Sequence, residues 1–379
     1  MKAFVFTDES LRAEAGRFVW LAIDTEKEQN APVQQKYPID AWPTFLVVDP
    51  KDERVALRWV GGATVAQLRR ILDDGRAAVG GGASGGGVDA AFARAERHYG
   101  ERQFGDAAKA YQEALSLAPP GWPRYSRAVE SLLFALSKTD DCATSLEVAR
   151  GALPRLRETP SVLAVAGTGL DCALQAPATD PARADGIAFF ETAAREAIAN
   201  PKVIAAADDR SGLYAVLLEA RKDAKDEAGA RKTAAEWALF LEGEATRAKT
   251  PEARTVFDSH RLSAYLEMGE PQRAVPMLEA SERDFPKDYN PPARLAVAYK
   301  EMKRWDEAFA ATDRALARAY GPRMLQILGT RAQIQLARGD KEGARATLEK
   351  ALRAAEAMPA GQRSDRTIAA VRKRLDSLN

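Results

Sequence analysis

The sequence predicts a mostly α-helical protein: an all-α superhelical solenoid of helix pairs preceded by a partial α/β region. Three observations support this fold class. Alanine makes up about a fifth of the 379 residues and aromatic residues only 7%, a composition that suits closely packed helices. After a glycine-rich run at residues 80–87 no segment is typical of a strand, and similar helical patterns recur about every 34 residues. Before that run, short apolar segments alternate with helical ones.

Composition and charge exclude several classes of function. The 55 Lys and Arg residues are balanced by 54 Asp and Glu residues, so the formal charge is +1 and we expect no nucleic-acid partner. Two cysteines and two histidines are too few for a disulfide scaffold or a four-cysteine zinc site, and we expect no metal and no cofactor. No apolar run reaches the ~20 residues that cross a bilayer, which predicts no membrane insertion.

The first residues bear on the compartment. Asp8 and Glu9 interrupt any apolar core near Met1, so this start does not resemble a signal peptide. The chain as written is therefore expected in the cytoplasm. A signal peptide encoded upstream of Met1 would instead place the protein in the periplasm or another extracytoplasmic compartment.

The region before the glycine-rich run predicts alternating strands and helices. Phe18–Ile23 is a continuous apolar run, as expected of a strand buried on both faces. Lys27–Lys36 is polar and predicts a short helix, and Thr44–Val48 and Arg54–Val60 predict an antiparallel pair. Thr64 then caps a helix with regularly spaced apolar residues.

The glycine-rich run Gly80–Gly87 is interpreted as a flexible linker, because it cannot bury apolar area. It lacks the flanking strand, lysine and hydroxyl residue of a phosphate-binding loop. The expected organisation is an α/β region at 1–78, a linker at 79–87 and a helical solenoid at 88–379.

The helical region contains a repeat. Ala107, Ala274, Ala308 and Ala344 occupy the same frame, and the last three are 34 and 36 residues apart. Small residues at this spacing allow the two helices of each pair to approach closely, and stacked pairs share a continuous core.

This frame resembles the tetratricopeptide (TPR) repeat, a helix-turn-helix unit with small residues at the helix crossing. Four units carry the pattern clearly, and they lie near 88–121, 255–288, 289–322 and 325–358. Residues 126–250 keep the rhythm of helix pairs with weaker residues. We expect about seven helix pairs, with Ser364–Leu378 as a terminal helix that caps the stack.

A TPR resemblance implies a groove that binds a protein or peptide. A groove that clamps a partner's C-terminal carboxylates would need Lys and Asn where this chain has Phe92 and Glu96, so that ligand is not expected. The groove is small and moderately apolar, which suits a helix or an extended peptide. Alternatively, the chain's own terminal helix fills part of it. The residues predicted to face the groove are Phe92, Glu96, Tyr99, Ser259, Ser263, Leu266, Val297, Lys300, Gln333 and Leu336.

The front region resembles the thioredoxin fold in the stretch Tyr37–Phe45. In that family a Pro-Thr pair opens a central strand and the proline is cis. The resemblance therefore implies a cis peptide bond before Pro43. It also implies a substrate-side loop formed by Trp42, Pro43 and Thr44, whose backbone could pair with an extended substrate.

The thioredoxin resemblance begins partway through the fold. Met1–Asp8 is similar to the stretch that follows the redox Cys-x-x-Cys in secreted and periplasmic members, so that motif would lie upstream of Met1. The missing first strand would lie between Phe18–Ile23 and Thr44–Val48. Without it these strands lose their common neighbour, and we expect a front region that is poorly stable or displaced.

Cys142 and Cys172 are the only thiols in the sequence. One interpretation pairs them as a redox couple across neighbouring helix pairs. The other treats both as small apolar residues in helix packing, which is common for free cysteine. They lack Cys-x-x-Cys spacing and lie outside the front region.

Two functions follow from these sequence features. The first is a protein-interaction scaffold or adaptor that holds a partner in its TPR groove, with a thioredoxin-like module that is redox-inactive as written. The alternative is a truncated thiol-disulfide oxidoreductase whose catalytic cysteines lie upstream of Met1. The chain as written has no predicted catalytic residue, and its partner, substrate and oligomeric state are not predicted.

Overall fold

The predicted hairpin of the front region forms. The structure is a computed structural model that describes Met1, residues 4–80 and residues 87–378. Thr44–Val48 (β1) pairs antiparallel with Val55–Val60 (β2), with Phe45 opposite Trp59 and an irregularity at the turn end of β1. Leu57 and Trp59 are buried, so β2 supplies most of the apolar face of the hairpin.

Two helices of the front region lie close to their predicted positions. Ala31–Lys36 (α1) follows a short 3-10 helix at Glu28–Asn30, with a proline in its first turn. Val65–Val79 (α2) begins at Thr64, whose side chain accepts a hydrogen bond from the backbone N–H of Gln67 in a capping box. A further 3-10 helix spans Glu9–Glu14.

Gly75 sets the distance between α2 and the hairpin. A Cβ atom at this position would lie 2.6 Å from Cγ2 of Val47 on β1. Only hydrogen fits there, so the helix packs directly on the strand. Leu68, Ile71 and Leu72 complete the buried face of α2.

The predicted strand at Phe18–Ile23 is wrong. This segment has no regular structure, and Val19 and Leu21 are 88% and 77% exposed. A strand is stabilised by backbone hydrogen bonds to a neighbour. In the described part of the chain, the sheet contains β1 and β2 alone.

From residue 88 the described chain is helical, and most of its helices pack in pairs joined by short loops. A short helix, Pro251–Thr255 (α11), and a 3-10 turn, Pro271–Arg273, occur within this array. Six pairs are in contact: Val88–Gly100 (α3) with Phe104–Leu117 (α4), Tyr125–Ser137 (α5) with Cys142–Leu156 (α6), Ser161–Gln175 (α7) with Arg183–Ala199 (α8), Asp258–Met268 (α12) with Ala274–Asp284 (α13), Asn290–Glu301 (α14) with Trp305–Leu316 (α15), and Arg323–Ala337 (α16) with Lys341–Glu356 (α17). Ala207–Asp223 (α9) and Glu227–Arg247 (α10) follow the third pair in the chain. Asp365–Asp376 (α18) is the last helix.

The alanines that define the repeat frame are core residues. Ala107, Ala274, Ala308 and Ala344 are all 0% exposed. A methyl side chain at these positions leaves room for the facing helix, as the sequence pattern predicts.

By internal packing the chain divides into two units. The first contains the chain up to Ala15 together with Ala41–Thr233, and the second contains Gly16–Asp40 and the chain from Ala234 onward. The front region is therefore divided between the two units. Within the predicted linker, residues 81–86 lie outside the described residues.

Candidate functional site

The predicted groove positions of the second unit lie on the first helices of three helix pairs. We call these seven residues the A-helix face. They are Ser259, Ser263 and Leu266 on α12, Val297 and Lys300 on α14, and Gln333 and Leu336 on α16. Ser259, Gln333 and Leu336 are exposed, and the remaining four are half-buried.

One hydrogen bond connects neighbouring repeats on the A-helix face. The Nζ atom of Lys300 donates to Oε1 of Gln333 across 3.1 Å, and it also lies 3.0 Å from a carboxylate oxygen of Glu301. Leu336, one turn along α16, is 39% exposed. The face therefore combines a cation, an amide and an exposed aliphatic side chain, groups that can bind a peptide through its backbone carbonyls and one apolar side chain.

The three groove positions predicted on α3 do not face solvent. Phe92, Glu96 and Tyr99 are 5%, 7% and 1% exposed. The rings of Phe92 and Tyr99 both pack against Tyr111 of α4, and Tyr99 also packs against Phe134 of α5. These positions therefore belong to the core of the first unit. β2 also packs against α3, where a Cβ atom at Gly100 would lie 2.8 Å from the carbonyl oxygen of Val55.

A charged network closes the same region from the helix side. The hydroxyl of Tyr111 donates to Oε1 of Glu96 at 2.6 Å, and the guanidinium of Arg127 contacts the other carboxylate oxygen of Glu96. Arg127 also donates to Asp74 of α2 at 3.0 Å, and Arg124 donates to the same carboxylate at 2.8 Å. Burial raises the pKa of Glu96, although Arg127 and Tyr111 act in the opposite direction.

This network lines a cavity of about 650 Å³ within the first unit, bounded by β2, α2, α3 and α5. Arg54, Arg97, Arg124 and Arg127 contribute positive charge to its wall, and Asp74, Asp89 and Glu96 contribute negative charge. Arg124 and Arg127 are already bound to these carboxylates. These ion pairs attach α2 to α5. Sequence reasoning missed it, because nothing local links Asp74 to Arg127.

The loop before β1 has the conformation that the thioredoxin resemblance implied. The Trp42–Pro43 peptide bond is cis. The hydroxyl of Thr44 donates to the carbonyl of Ala41 at 2.7 Å, and the carbonyl of Pro43 accepts from the N–H of Gly61 at 2.9 Å. Trp42 is 64% exposed.

The two cysteines lie on adjacent helices of the first unit. Cys142 begins α6 and is half-buried, whereas Cys172 is buried in α7. Burial and a hydrogen bond with Cys142 raise the pKa of Cys172 to about 12. A thiol with so high a pKa carries little thiolate at neutral pH. Both interpretations of the pair remain predictions.

Two further classes of site can be considered within the described ranges. No cluster of three or more His, Cys, Asp and Glu side chains in these residues is arranged to hold a metal ion. None of the described helices combines the length and apolar character needed to span a membrane.

Comparison with known proteins identifies the repeat. The family model of the tetratricopeptide repeat matches residues 289–357, the stretch that contains α14 to α17. Residues 289–357 therefore carry TPR repeats, as the frame of Ala308 and Ala344 predicted. Among curated proteins, none matches the sequence significantly.

Several solved structures resemble the chain. A tetratricopeptide repeat protein from Parabacteroides merdae is 12% identical, with 77% of this chain and 98% of that chain covered and a TM-score of 0.49. The TPR2AB domain of yeast Sti1 in complex with pHSP90 is 17% identical, with coverage of 77% and 96% and a TM-score of 0.28. The Cut9–Hcn1 hetero-tetramer of the APC/C is 13% identical, with coverage of 82% and 59% and a TM-score of 0.25. A thioredoxin-like front domain is not shown by the family model, which matches residues 289–357 alone.

Proposed function

We propose that this chain is a protein-interaction scaffold whose C-terminal repeats bind a protein or peptide partner along the A-helix face. The observation that carries the proposal is the hydrogen bond between Lys300 and Gln333 beside the exposed Leu336. These residues belong to successive repeats inside the stretch that the TPR family model matches. A ligand that spans both repeats would meet all three side chains.

The chemistry of the A-helix face favours an extended peptide. Lys300 has three donors, and a side chain of this kind can bind backbone carbonyls as well as an acidic residue. Gln333 can donate and accept, and Leu336 supplies apolar area. Neither Asp nor Glu is among the seven residues of the face, so a neutral or acidic peptide meets no repulsion from them.

Selection from a random peptide library tests this function. Peptides selected on the full chain are expected to bind a Lys300→Ala, Gln333→Ala variant about tenfold or more weakly in fluorescence anisotropy, since truncation of central contacts costs about 1–2 kcal/mol. Glu349→Ala is the matched control, because Glu349 is exposed on α17 outside the A-helix face. Equal affinity for the two variants, or no selected peptide, contradicts the proposal.

A second candidate function concerns the front region. We propose that it is a thioredoxin-like module, either a redox-inactive adaptor or part of a longer thiol-disulfide oxidoreductase. Support comes from the cis Trp42–Pro43 bond, the antiparallel hairpin and the capped helix α2 in that order along the chain. Both cysteines of the sequence lie beyond residue 140, so the front region has no thiol of its own.

Two measurements separate these alternatives. The chain is expected to show no insulin reduction with dithiothreitol, and robust turnover would contradict its assignment as redox-inactive. In-frame translation of the DNA upstream of the Met1 codon then decides between adaptor and enzyme. A strand-like run followed by Cys-x-x-Cys within about ten residues of Met1 favours the oxidoreductase, and a signal peptide farther upstream favours an extracytoplasmic location. Stop codons close upstream favour the adaptor.

A further inference from the structure

A short acidic stretch of the front region is bound by the C-terminal repeats of the second unit. Glu26 is at its centre. The hydroxyl of Tyr289 donates to Oε2 of Glu26 at 2.6 Å, and Nε of Arg323 contacts Oε1. The side chain of Glu26 is 19% exposed although it belongs to a segment without a core of its own. Both carboxylate oxygens are therefore bound by repeat residues.

The two residues before Glu26 are bound as well. The hydroxyl of Tyr320 donates to Oδ2 of Asp24 at 2.7 Å, and the side-chain amide of Gln362 donates to the carbonyl of Thr25 at 2.9 Å. The other carboxylate oxygen of Asp24 accepts from the backbone N–H of Glu26 at 3.0 Å. We call Asp24–Glu26 the acidic stretch. Two side chains and one backbone group of it are recognised at the same time.

The recognising residues share a position in the repeat. They lie at or just before the first residues of α14, α16 and α18, along one edge of the helix array. The positive ends of helix dipoles favour carboxylates at such positions. We call this surface the repeat edge. Its residues are Tyr289, Tyr320, Arg323 and Gln362.

Two glycines allow the backbone of the segment to approach the repeat edge. A Cβ atom at Gly321 would overlap the carbonyl oxygen of Glu26, and one at Gly361 would overlap the carbonyl oxygen of Ala31. Gly321 also has a φ of +55°, which side chains rarely adopt. The contact is therefore between backbones at two points, which suits an extended chain.

The tyrosines keep the protons that the contact needs. Burial and the hydrogen bond to Glu26 raise the pKa of Tyr289. The hydrogen bond to Asp24, followed by burial, raises the pKa of Tyr320 to about 12. Both phenols remain donors to carboxylates throughout the neutral range.

The segment that carries the acidic stretch is held mainly by these polar contacts. Between Gly16 and Asp40, Ala31 is the one buried side chain. Val19 and Leu21, just before the acidic stretch, are largely exposed. Because little apolar area holds the segment in place, its attachment can be exchanged without loss of a hydrophobic core.

We propose that the repeat edge is a docking site for an extended peptide with two carboxylates two residues apart, and that the acidic stretch occupies it in cis. A partner segment with the pattern Asp-x-Glu competes with the chain's own residues for the same donors. The repeat edge lies at helix starts and is separate from the A-helix face, so this inference goes beyond the proposed function. A partner can bind only while the acidic stretch is detached from the repeat edge. The apparent affinity of the partner is therefore its intrinsic affinity multiplied by the fraction of time that the repeat edge is free.

A peptide added in trans tests the competition. The probe is a fluorescein-labelled peptide with the sequence of residues 20–36, and the protein is the full chain. We expect weak binding to the wild type and binding about tenfold or more tighter to an Asp24→Asn, Glu26→Gln chain, because the edge is then vacant more often. Glu28→Gln is the matched control, since Glu28 is an exposed carboxylate of the same segment. The control is expected to behave as the wild type.

Variants of the repeat edge complete the test. In the Asp24→Asn, Glu26→Gln chain, Arg323→Gln is expected to abolish binding of the peptide, and Tyr289→Phe, which removes a single hydroxyl, is expected to weaken it. A peptide that itself carries the Asn and Gln substitutions is expected not to bind. Equal binding to wild type and to the Asp24→Asn, Glu26→Gln chain, or undiminished binding of the substituted peptide, overturns the proposal.

The two surfaces can be told apart. Lys300→Ala on the A-helix face is expected to leave binding of the residue 20–36 peptide unchanged, and Arg323→Gln is expected to leave the library-selected peptides unaffected. If one peptide class does not bind, or binds equally well after substitution of its own surface, only the proposal for that surface fails. Circular dichroism melts of each variant verify that it is folded.

Discussion

The first helices of the repeats have different surroundings in the two units. On α3 of the first unit, Phe92 and Tyr99 are buried against Tyr111 of α4, and Glu96 is bound by Arg127 and Tyr111. On α16 of the second unit, the corresponding face exposes Gln333 and Leu336. The same helical position is core in one unit and surface in the other.

This difference teaches that a repeat pattern defines helix packing but not the accessible surface. The pattern specifies which residues lie between the two helices of a pair, because that geometry repeats. What covers the outer side of the first helix depends on the flanking chain. In the first unit the flanking chain includes α2, which is attached to α5 through Asp74 and Arg127, and this attachment can be broken by mutation.

The largest effect is expected from Arg127→Met. The substitution leaves the buried carboxylate of Glu96 without its cation and leaves Asp74 of α2 bound by Arg124 alone. Breaking a buried ion pair by removing one partner costs about 3–5 kcal/mol. Urea denaturation should show this loss, with Arg97→Met as the control, since Arg97 is exposed on the same helix as Glu96.

The double variant Arg127→Met, Glu96→Leu sharpens the result. It removes the buried charge together with its partner, so part of the lost stability should return. If Arg127→Met alone costs no more than Arg97→Met, the network does not hold the first unit closed.

The next largest effect is on the pH dependence of stability. One carboxyl group in each unit is expected to contribute to it, with opposite signs. Burial raises the pKa of the half-buried Glu130 in the first unit from 4.5 to about 7. A raised pKa means that the folded state binds the proton more tightly, so this contribution to stability is complete below pH 4.5 and is lost as the pH rises through 7. Glu130→Gln is expected to remove this loss of unfolding free energy, which amounts to at most about 3 kcal/mol near neutral pH.

Glu282 of the second unit provides the opposite case. Burial acts to raise its pKa, but hydrogen bonds and charges from Arg314 and Arg318 lower it overall. Its contribution is therefore present at neutral pH and is lost as the pH falls through the lowered pKa. Thermal melts from acidic to neutral pH should show Glu130→Gln gaining stability relative to wild type as the pH rises and Glu282→Gln losing it. Parallel profiles for the two variants would contradict the contrast.

The smallest effect concerns helix caps. Thr64 of α2 and Ser364 of α18 each accept a hydrogen bond from a backbone N–H three residues later. The backbone N–H of Thr64 also donates to Oε1 of Gln67, which is the reciprocal bond of a capping box. Thr64→Ala is expected to cost about 1 kcal/mol, and Ser364→Ala less, in urea denaturation. A larger cost for Ser364→Ala would show that the last helix contributes more to stability than its cap geometry indicates.

Much of the fold could be predicted from local sequence. The apolar run at Thr44–Val48, the Thr64 cap and the regular spacing of Ala274, Ala308 and Ala344 each determine structure within a few residues. Their positions follow from hydrogen bonds or packing between neighbours in the chain, and the structure confirms them.

The site was less predictable because it depends on distant contacts. Phe18–Ile23 has the composition of a strand, but composition does not supply a hydrogen-bonding neighbour. Glu26 and Tyr289 are 263 positions apart, and no periodicity links them. The burial of Phe92 and Tyr99 likewise depends on rings outside their own helix, Tyr111 among them. The sequence pattern predicts correctly which helices carry these side chains. It does not predict which other segments bury them.

The exposed run before the acidic stretch has a consequence for handling the protein. Four large apolar side chains of this run are each 42% or more exposed: Val19, Trp20, Leu21 and Ile23. A salt such as ammonium sulfate screens the ion pair of Glu26 with Arg323 and at the same time favours burial of apolar area. The same solution condition thus loosens the attachment of this segment and increases its tendency to associate. Low ionic strength is the condition in which the segment stays attached and the chain stays dispersed.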